Sequence, residues 1–256
     1  MSMIGKEEQL VSLIHIKNKA YKELESCFLN SDNPILLVGP YHCGKKYSVS
    51  NLCLQNAKNM YEIEKIKSDS DLYGYFDAKG EYQKSPLFMA YLNGEILYID
   101  DIASSKNYFK TLIDISNSKT LEFPCGKIEK NKEFRIIMSM DKDEFLQLNK
   151  KVENKLDVVK FNYDKTVEKV LCPDVELYEI LTEIRKICKK NSILISITTE
   201  TFKNAYILKS LNSFKDEDIL RSVLGGNFTR QILDILILSL TKLQNNRFYG
   251  ILTSWR

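Results

Sequence analysis

Short apolar runs alternate with amphipathic stretches along the first two thirds of the chain. The clearest run, Ile35–Val38, is apolar on both faces and ends at a glycine, which is typical of a buried strand in a parallel sheet. Because strands and helices alternate, the pattern predicts an α/β fold with a five-stranded parallel sheet. The other predicted strands are 61–66, 96–99, 134–140 and 158–162.

Apolar residues at helical spacing occupy the segments between these strands. Pro86 stands at the first position of one such helix, which ends at Asn93 and Gly94. The segment 69–82 is rich in Gly, Asp and Tyr and is interpreted as a loop. The predicted helices of this part are 6–29, 45–57, 86–92 and 107–117.

The last third of the chain has a helical pattern throughout, so we expect a second, smaller domain there. The predicted division is an α/β core of residues 1–170 and a helical lid domain of residues 171–256. Charged residues of its first long helix, among them Glu183 and Arg185, are interpreted as a solvated face with local ion pairs. The predicted helices are 174–190, 199–212, 216–223 and 228–245.

The composition, with 44% hydrophobic and 28% charged residues, is typical of a soluble globular protein. The net charge of +3 does not single out nucleic acid as a partner. Six cysteines without a CxxC pair, and only two histidines, argue against a zinc site. Charges at residues 6–8 interrupt any signal peptide, and the apolar stretch 232–240 is too short to span a bilayer. We therefore expect a cytoplasmic protein without a membrane segment.

A loop of the form GxxxxGK follows the first strand and precedes a helix. Backbone N–H groups of such a loop, together with the N-terminus of the next helix, bind phosphate. Gly39 and Gly44 allow a close approach of the backbone, and Lys45 contacts the terminal phosphates. A glycine-bearing turn with a chance lysine is the alternative interpretation. The candidate nucleotide-binding residues are Gly39, Pro40, Tyr41, His42, Cys43, Gly44, Lys45, Lys46 and Tyr47.

The residue after Lys45 departs from the motif, which has Ser or Thr there to bind Mg²⁺. Lys46 stands at this position, and an ammonium group cannot coordinate a cation. Ser48 lies two residues further on, at another angle around the helix. Two interpretations stay open: Lys46 neutralises phosphate charge in place of the metal, or nucleotide binding is weakened.

Two acids, Asp100 and Asp101, end the third predicted strand. In P-loop proteins an acid at this strand end holds Mg²⁺, and a second acid beside it can polarise the attacking water. Asp100 is therefore the candidate metal-linked acid, and Asp101 the candidate catalytic acid. Asp is also common where a strand turns into a loop, which is the structural alternative.

Two further stretches carry candidate binding residues. An aromatic-rich segment, which includes Tyr75, Phe76 and Phe88, either packs on the core or faces a partner. A basic run that includes Lys130 and Arg135 is interpreted as a solvated face rather than a DNA-binding hairpin, because Glu129 and Glu133 interleave.

Residues 35–141 resemble the AAA+ superfamily, especially the branch with MoxR-type, McrB-type and dynein-related modules. The resemblance is carried by ILLVGPYHCGKK, DLYGYFDAKGEYQKSPLFMAYLNGEILYIDDI and FRIIMSMD. It implies a P-loop αβα sandwich with five parallel strands, a small helical lid, and ATP bound between the subunits of a ring, usually a hexamer.

The resemblance also assigns roles to residues around the γ-phosphate. The polar sensor, usually Asn, falls on Asp141, and the catalytic acid, usually Glu, falls on Asp101. The residue of this chain nearest to the position of the family's arginine finger is Lys155, which lacks the planar fork of a guanidinium. The position of the lid arginine corresponds to Glu200. The departures from the family pattern are Lys46, Asp101, Asp141, Lys155 and Glu200.

These departures lead us to expect an AAA+ protein that binds ATP or ADP and hydrolyses ATP slowly or not at all. Whether nucleotide binding depends on Mg²⁺ stays open, because Lys46 replaces the usual Ser or Thr. We expect a homo- or hetero-oligomer, such as a ring, that acts with a protein partner in remodelling or assembly. The alternatives are a DNA-associated AAA+ ATPase of replication or transposition, and a non-catalytic structural subunit.

Overall fold

The structure is a computed structural model that describes residues 18–147, 154–193, 197–211 and 216–224. These residues form two compact units, and the chain passes from the first to the second between Asn162 and Tyr163. The expected boundary at residues 170–171 lies further along the chain and stays a prediction. None of the described helices is both long enough and apolar enough to cross a bilayer.

The first unit alternates strands and helices as the hydrophobic pattern predicts. Four of its predicted strands and the helix that begins at Pro86 are found within a residue or two of their expected bounds. Its elements are α1 (Lys19–Asn30), β1 (Ile35–Val38), α2 (Lys45–Gln55), β2 (Met60–Ile63), α3 (Asp69–Tyr73), β3 (Tyr75–Phe76), β4 (Tyr82–Gln83), α4 (Pro86–Asn93), β5 (Ile96–Ile99), a 3₁₀ helix (Ile102–Tyr108), α5 (Phe109–Asn117), β6 (Thr120–Phe123), β7 (Gly126–Glu129), β8 (Arg135–Met140), α6 (Lys142–Phe145) and β9 (Asp157–Lys160).

Five strands form one parallel sheet in the order β2-β5-β8-β1-β9. β1 lies between β8 and β9, with Ile35 opposite Ile137 and Asp157. All residues of β1 and β5 are buried, because helices cover both faces of a parallel sheet. The fold is therefore the expected α/β sandwich, and the carboxyl ends of its strands meet at one edge.

The interpretation of 69–82 as a loop is wrong. This segment contains the short helix α3 and both strands of the antiparallel hairpin β3–β4. A second hairpin, β6–β7, was not predicted and precedes β8. The two hairpins are linked by aromatic packing, since the ring of Phe88 lies 5.3 Å from that of Tyr82 and 5.0 Å from that of Phe123.

The aromatic-rich segment divides between the core and the surface. Phe88 and Tyr91 are buried in the core of the first unit, as the packing interpretation requires. Tyr75 and Phe76, on the hairpin β3–β4, are about half exposed, at 53% and 52%. The packing interpretation therefore holds for the helix α4 and for Tyr82 of the hairpin, and not for Tyr75 and Phe76.

The described residues of the second unit form helices and the turns between them, with no strand. Its core is built from apolar residues such as Leu177, Leu181 and Phe202. The helix α7 was not predicted, and the predicted helix 228–245 lies outside the described residues. The elements are α7 (Lys165–Leu171), α8 (Val175–Lys190), α9 (Thr199–Ser210) and α10 (Asp216–Leu224).

A buried ion pair joins three segments of this helical unit. Arg185 on α8 donates two hydrogen bonds to Glu168 on α7, at 3.0 and 2.7 Å, and a third to the carbonyl of Ile197, at 2.7 Å. Glu168 is 1% exposed and also accepts a hydrogen bond from Thr199. The guanidinium lies 4.2 Å from the ring centroid of Tyr163. The interpretation of Arg185 as part of a solvated face is therefore wrong.

This arrangement predicts that Glu168→Ala destabilises the helical unit, because it leaves the Arg185 guanidinium without its carboxylate in a mostly buried place. We expect a loss of about 3 kcal/mol in the free energy of unfolding, measured by denaturant titration. The control is Glu183→Ala, which removes the more exposed pair with Lys186 and costs about 0–1 kcal/mol. Equal losses for the two variants would contradict the prediction.

Candidate functional site

The loop between β1 and α2 lies at the edge of the sheet where the strands end. The N–H of Gly39 donates to the carbonyl of Met140 at the end of β8, at 3.1 Å. A Cβ at Gly39 would lie 2.5 Å from the carbonyl oxygen of Phe161, so only glycine fits there. Gly44 caps α2 with φ of 94°, in the left-handed region that favours glycine. Both glycines are thus required by the observed backbone.

Lys45 is held inside the loop that it follows. Its side chain is buried, and its ammonium donates to the carbonyls of Gly39 and Pro40 at 2.6 and 2.8 Å. The same ammonium lies 5.8 Å from the ring centroid of Tyr41. A cation thus stands among the loop groups that bind phosphate in proteins with this motif.

The remaining loop residues differ in exposure. Cys43 is buried, and burial raises the pKa of its thiol, so it is a small core residue rather than a nucleophile. Tyr41 and Tyr47 are exposed, at 50% and 39%. His42 is exposed and has φ of 53°, which contributes to the sharp turn of the loop.

Lys46 points towards β2. Its ammonium lies 2.5 Å from Oε1 of Glu62, and the hydrogen bond to Glu62 raises the pKa of Lys46. Ser48 does not replace the missing hydroxyl, because it is buried and its Oγ donates to the Gly44 carbonyl at 2.9 Å. The first turn of α2 therefore offers an ion-paired ammonium where the motif has a metal-binding hydroxyl.

Ser139, near the end of β8, organises the acidic strand end. Its hydroxyl donates to Oδ1 of Asp100 at 2.7 Å and accepts from the N–H of Asp101 at 2.9 Å. Oδ1 of Asp100 also accepts from the hydroxyl of Tyr98, at 3.0 Å, and burial raises the pKa of that tyrosine. Asp100 thus has a fixed orientation between two neighbouring strands.

Asp101 has a strained backbone and a crowded carboxylate. Its φ is 46°, and its Oδ1 is buried with no hydrogen-bond partner among the described residues. Burial raises the pKa of Asp101, and repulsion from Asp100 and Asp141 raises it further, against the opposing effects of Lys45 and Lys106. A partly buried carboxylate with a raised pKa beside other acids is typical of a functional site.

Asp141 and Glu144 add negative charge at the end of β8. Asp141 caps α6, where its Oδ1 accepts from the N–H of Asp143 at 3.0 Å. Burial raises the pKa of Glu144, followed by repulsion from Asp101. Burial also raises the pKa of Tyr41, and the acids that contribute are Asp101, Glu144, Asp141 and Asp100. The loop and the acidic strand ends therefore face one another.

Lys155 lies apart from this group. It is exposed and precedes β9, which runs parallel to β1 with Asp157 opposite Ile35. Lys155 therefore lies at the amino edge of the sheet, whereas the loop follows the carboxyl end of β1. The structure brings Lys45, Asp100, Asp101 and Asp141 together at one edge, and Lys155 is not among them. Glu200 belongs to α9 of the helical unit.

The sequence analysis missed several members of the site. Ser139 and Glu62 lie on strands that reach the site only through the sheet pairing, and Glu144 follows a strand end. The one available signal was Ser139 itself, a polar residue within the apolar run of β8.

The residues present fit a nucleotide better than they fit a magnesium ion. The loop offers a glycine with no room for a Cβ, a left-handed glycine at the helix start and a buried ammonium. At the position of the metal-binding hydroxyl this chain has the ammonium of Lys46. In the described ranges, no cluster of three or more His, Cys, Asp or Glu is arranged to hold a metal ion. The parallel sheet, the loop and the acidic strand end together define a P-loop nucleotide-binding domain.

Comparison with known families identifies the domain more closely. Residues 34–156 match the model of the AAA domain (dynein-related subfamily). The matched residues therefore form an AAA domain of the dynein-related subfamily. The matched segment includes the loop, Asp100, Asp101 and Asp141. No curated protein sequence gives a significant match to the chain.

Solved structures show the same fold. The chain is similar to the crystal structure of NtrX from Brucella abortus, with TM-score 0.54, 16% identity, and coverage of 91% of this chain and 60% of that chain. NtrX in complex with ADP gives TM-score 0.52, 15% identity, and coverage of 92% and 61%. At these identities the likeness concerns the fold, and this chain spans less than two thirds of the NtrX chains.

The bridging position of Ser139 predicts that Ser139→Ala destabilises the first unit. The variant leaves the N–H of Asp101 without its acceptor, at a cost of about 1–3 kcal/mol measured by denaturant titration. Ser50→Ala is the control, because Ser50 is a partly exposed helical residue whose hydroxyl bonds only the preceding turn. Unchanged stability of Ser139→Ala would show that the bridge is unimportant.

The crowding of Asp101 predicts a pH-dependent effect of Asp101→Asn. The pKa of Asp101 in the folded state is raised above its ordinary value of 3.8. As the pH rises from 3.8 through the folded-state pKa, ionisation of Asp101 therefore destabilises the fold. The variant should match the wild type in acid and be the more stable of the two at neutral pH, as measured by melting temperature. Charged groups that face Asp101 are Asp100, Lys45, Asp141, Lys106 and Glu144.

The control for this experiment is Asp77→Asn on the hairpin β3–β4. Hydrogen bonds from the backbone of Glu81 and Lys79 lower the pKa of Asp77, so its ionised form stabilises the fold. The control should therefore lose stability at neutral pH, opposite in sign to Asp101→Asn. A loss of stability in both variants would contradict the assignment of Asp101 as a strained carboxylate.

Proposed function

We propose that this chain binds ATP or ADP at the loop 39–47 and hydrolyses ATP slowly or not at all, as a subunit of an oligomer. The observation that carries the proposal is the ion pair of Lys46 with Glu62, because it stands where the family has a metal-binding hydroxyl. The first part of the proposal concerns binding, and the second concerns turnover.

Binding is supported by the geometry of the loop. Gly39 and Gly44 give the backbone the conformation in which N–H groups converge on an anion, and the N-terminus of α2 follows directly. Lys45 already donates to two loop carbonyls and can exchange these for phosphate oxygens. ADP is bound by NtrX, which shares the fold.

Slow turnover is supported by the charges at the carboxyl edge of the sheet. Transfer of a phosphoryl group requires donors and cations that stabilise negative charge on its oxygens. Here Asp101, Asp141 and Glu144 face the loop, and Lys46 stands where the family has a metal-binding hydroxyl. Asp101 is also one methylene shorter than the glutamate of the family pattern.

An oligomer is supported by the position of Lys155. This residue lies at the amino edge of the sheet and cannot act on a nucleotide bound at the carboxyl edge of the same chain. A contribution from Lys155 to catalysis thus requires a second copy, as in the rings typical of the family. We include a hexameric ring and a protein partner in the proposal on this ground and on the family resemblance.

The DNA-associated alternative gains no support from the basic run. Lys130 donates to the carbonyl of Ser116 at 2.7 Å, and Arg135 forms an ion pair with Asp32 at 2.7 Å. These two cations are therefore engaged within the chain. Lys58, nearby, is paired with Glu133.

The test is a titration of fluorescent ADP and ATP into the pure chain, with and without Mg²⁺, followed by a phosphate-release assay. We expect saturable binding of nucleotide and a turnover below about 1 per second, the low end of ordinary enzymes. Light scattering with and without ADP reports the oligomer. Faster turnover would mean that the unusual residues form a working ATPase.

The variant that tests the site is Lys45→Ala, which removes the buried ammonium from the loop. We expect at least about a tenfold loss of affinity, since a hydrogen bond to a charged group contributes about 1.5–3 kcal/mol. Lys58→Ala is the matched control, because that lysine is ion-paired at the amino edge of β2. No binding by the wild type, or equal binding by Lys45→Ala, would favour the non-catalytic structural subunit.

A further inference from the structure

Lys46 has the position of a metal ligand and the chemistry of a cation. It lies in the first turn of α2, directly after the lysine of the loop. Its ammonium has three donors and no lone pair, so it cannot ligate Mg²⁺ and repels it. Its side chain is 49% exposed, and its ammonium lies 2.5 Å from Oε1 of Glu62.

The same ammonium is close to the acid that holds the metal in related proteins. After Glu62, Asp100 is the next carboxylate that favours the charged form of Lys46. Oδ1 of Asp100 is already bonded by Ser139 and Tyr98. The ammonium of Lys46 thus interacts electrostatically with Asp100, whose Oδ1 is already bonded by protein groups.

The charge balance of the cleft disfavours a third phosphate. Lys45 interacts with Asp101, so a terminal phosphate on Lys45 lies near that carboxylate. Asp141 and Glu144 stand on the same side, and one carboxylate oxygen of Glu144 is buried without a hydrogen-bond partner among the described residues. Without a divalent cation, one such like-charge contact in a partly buried site suffices for more than about a tenfold loss of affinity.

From these three observations we propose that the cleft takes its nucleotide without a metal ion, with Lys46 as the fixed cation, and favours the diphosphate over the triphosphate. This inference rests on the proposed function, since it concerns the same site. It goes beyond that function by naming the form of the ligand: a metal-free nucleoside diphosphate.

The experiment compares ADP and ATP binding to the full chain in EDTA and in excess Mg²⁺, by calorimetry. In EDTA we expect ADP to bind at least about ten times more tightly than ATP, a difference in line with one uncompensated charge contact. Mg²⁺ should leave the affinity for ADP unchanged within about threefold, whereas a metal-dependent site loses affinity in EDTA.

Two variants at position 46 separate charge from coordination. Lys46→Thr supplies the hydroxyl and removes the cation, so binding in EDTA should weaken at least about tenfold and Mg²⁺ should restore it. Lys46→Met removes the cation and supplies no ligand, so Mg²⁺ should restore nothing. Lys58→Thr, the matched control, should keep the wild-type pattern, and thermal melting checks that each variant is folded.

Each outcome decides between the two proposals. Wild-type binding that requires Mg²⁺ overturns the metal-free inference and leaves nucleotide binding intact. Equal affinity for ADP and ATP in EDTA overturns the preference for the diphosphate. Absence of binding in every condition, with Lys45→Ala identical to the wild type, overturns the proposed function and this inference together.

Discussion

The parallel pairing of β1 with β8, and of β8 with β5, is the constraint on which the site depends. Parallel strands bring their carboxyl ends to one edge, and three segments far apart in sequence meet there. The loop follows β1, the two acids follow β5, and Asp141 follows β8. Burial of all four residues in β1 and β5 fixes the strand register, so the positions of these side chains follow from the core.

Local patterns in the sequence were enough to predict the sheet and the loop. Ile35–Val38, the glycines and Lys45 form a continuous signal of buried strand, turn and helix, which needs no long-range contact to interpret. The hairpins β3–β4 and β6–β7 were not predictable in this way, because their strands are two to four residues long. They are held by packing of aromatic rings that the chain brings together only on folding.

Pair interactions across the fold were also beyond the sequence. The position of Lys46 was evident, but its pairing with Glu62 depends on β2 lying at the edge of the sheet beside β5. Likewise Arg185 resembled the charged residues around it, yet its partner Glu168 lies in a helix that no pattern predicted. In both cases the type of residue was informative, and the partner was decided by tertiary structure.

Gly39 also connects the loop mechanically to the end of the sheet. Its backbone packs against the carbonyl of Phe161, with no space for even one further carbon atom. Phe161 comes two residues before Tyr163, where the helical unit begins. Any side chain larger than that of glycine at position 39 therefore requires the backbone at Phe161 to move. Position 39 thus sets how closely the phosphate-binding loop can lie against the residues that follow β9.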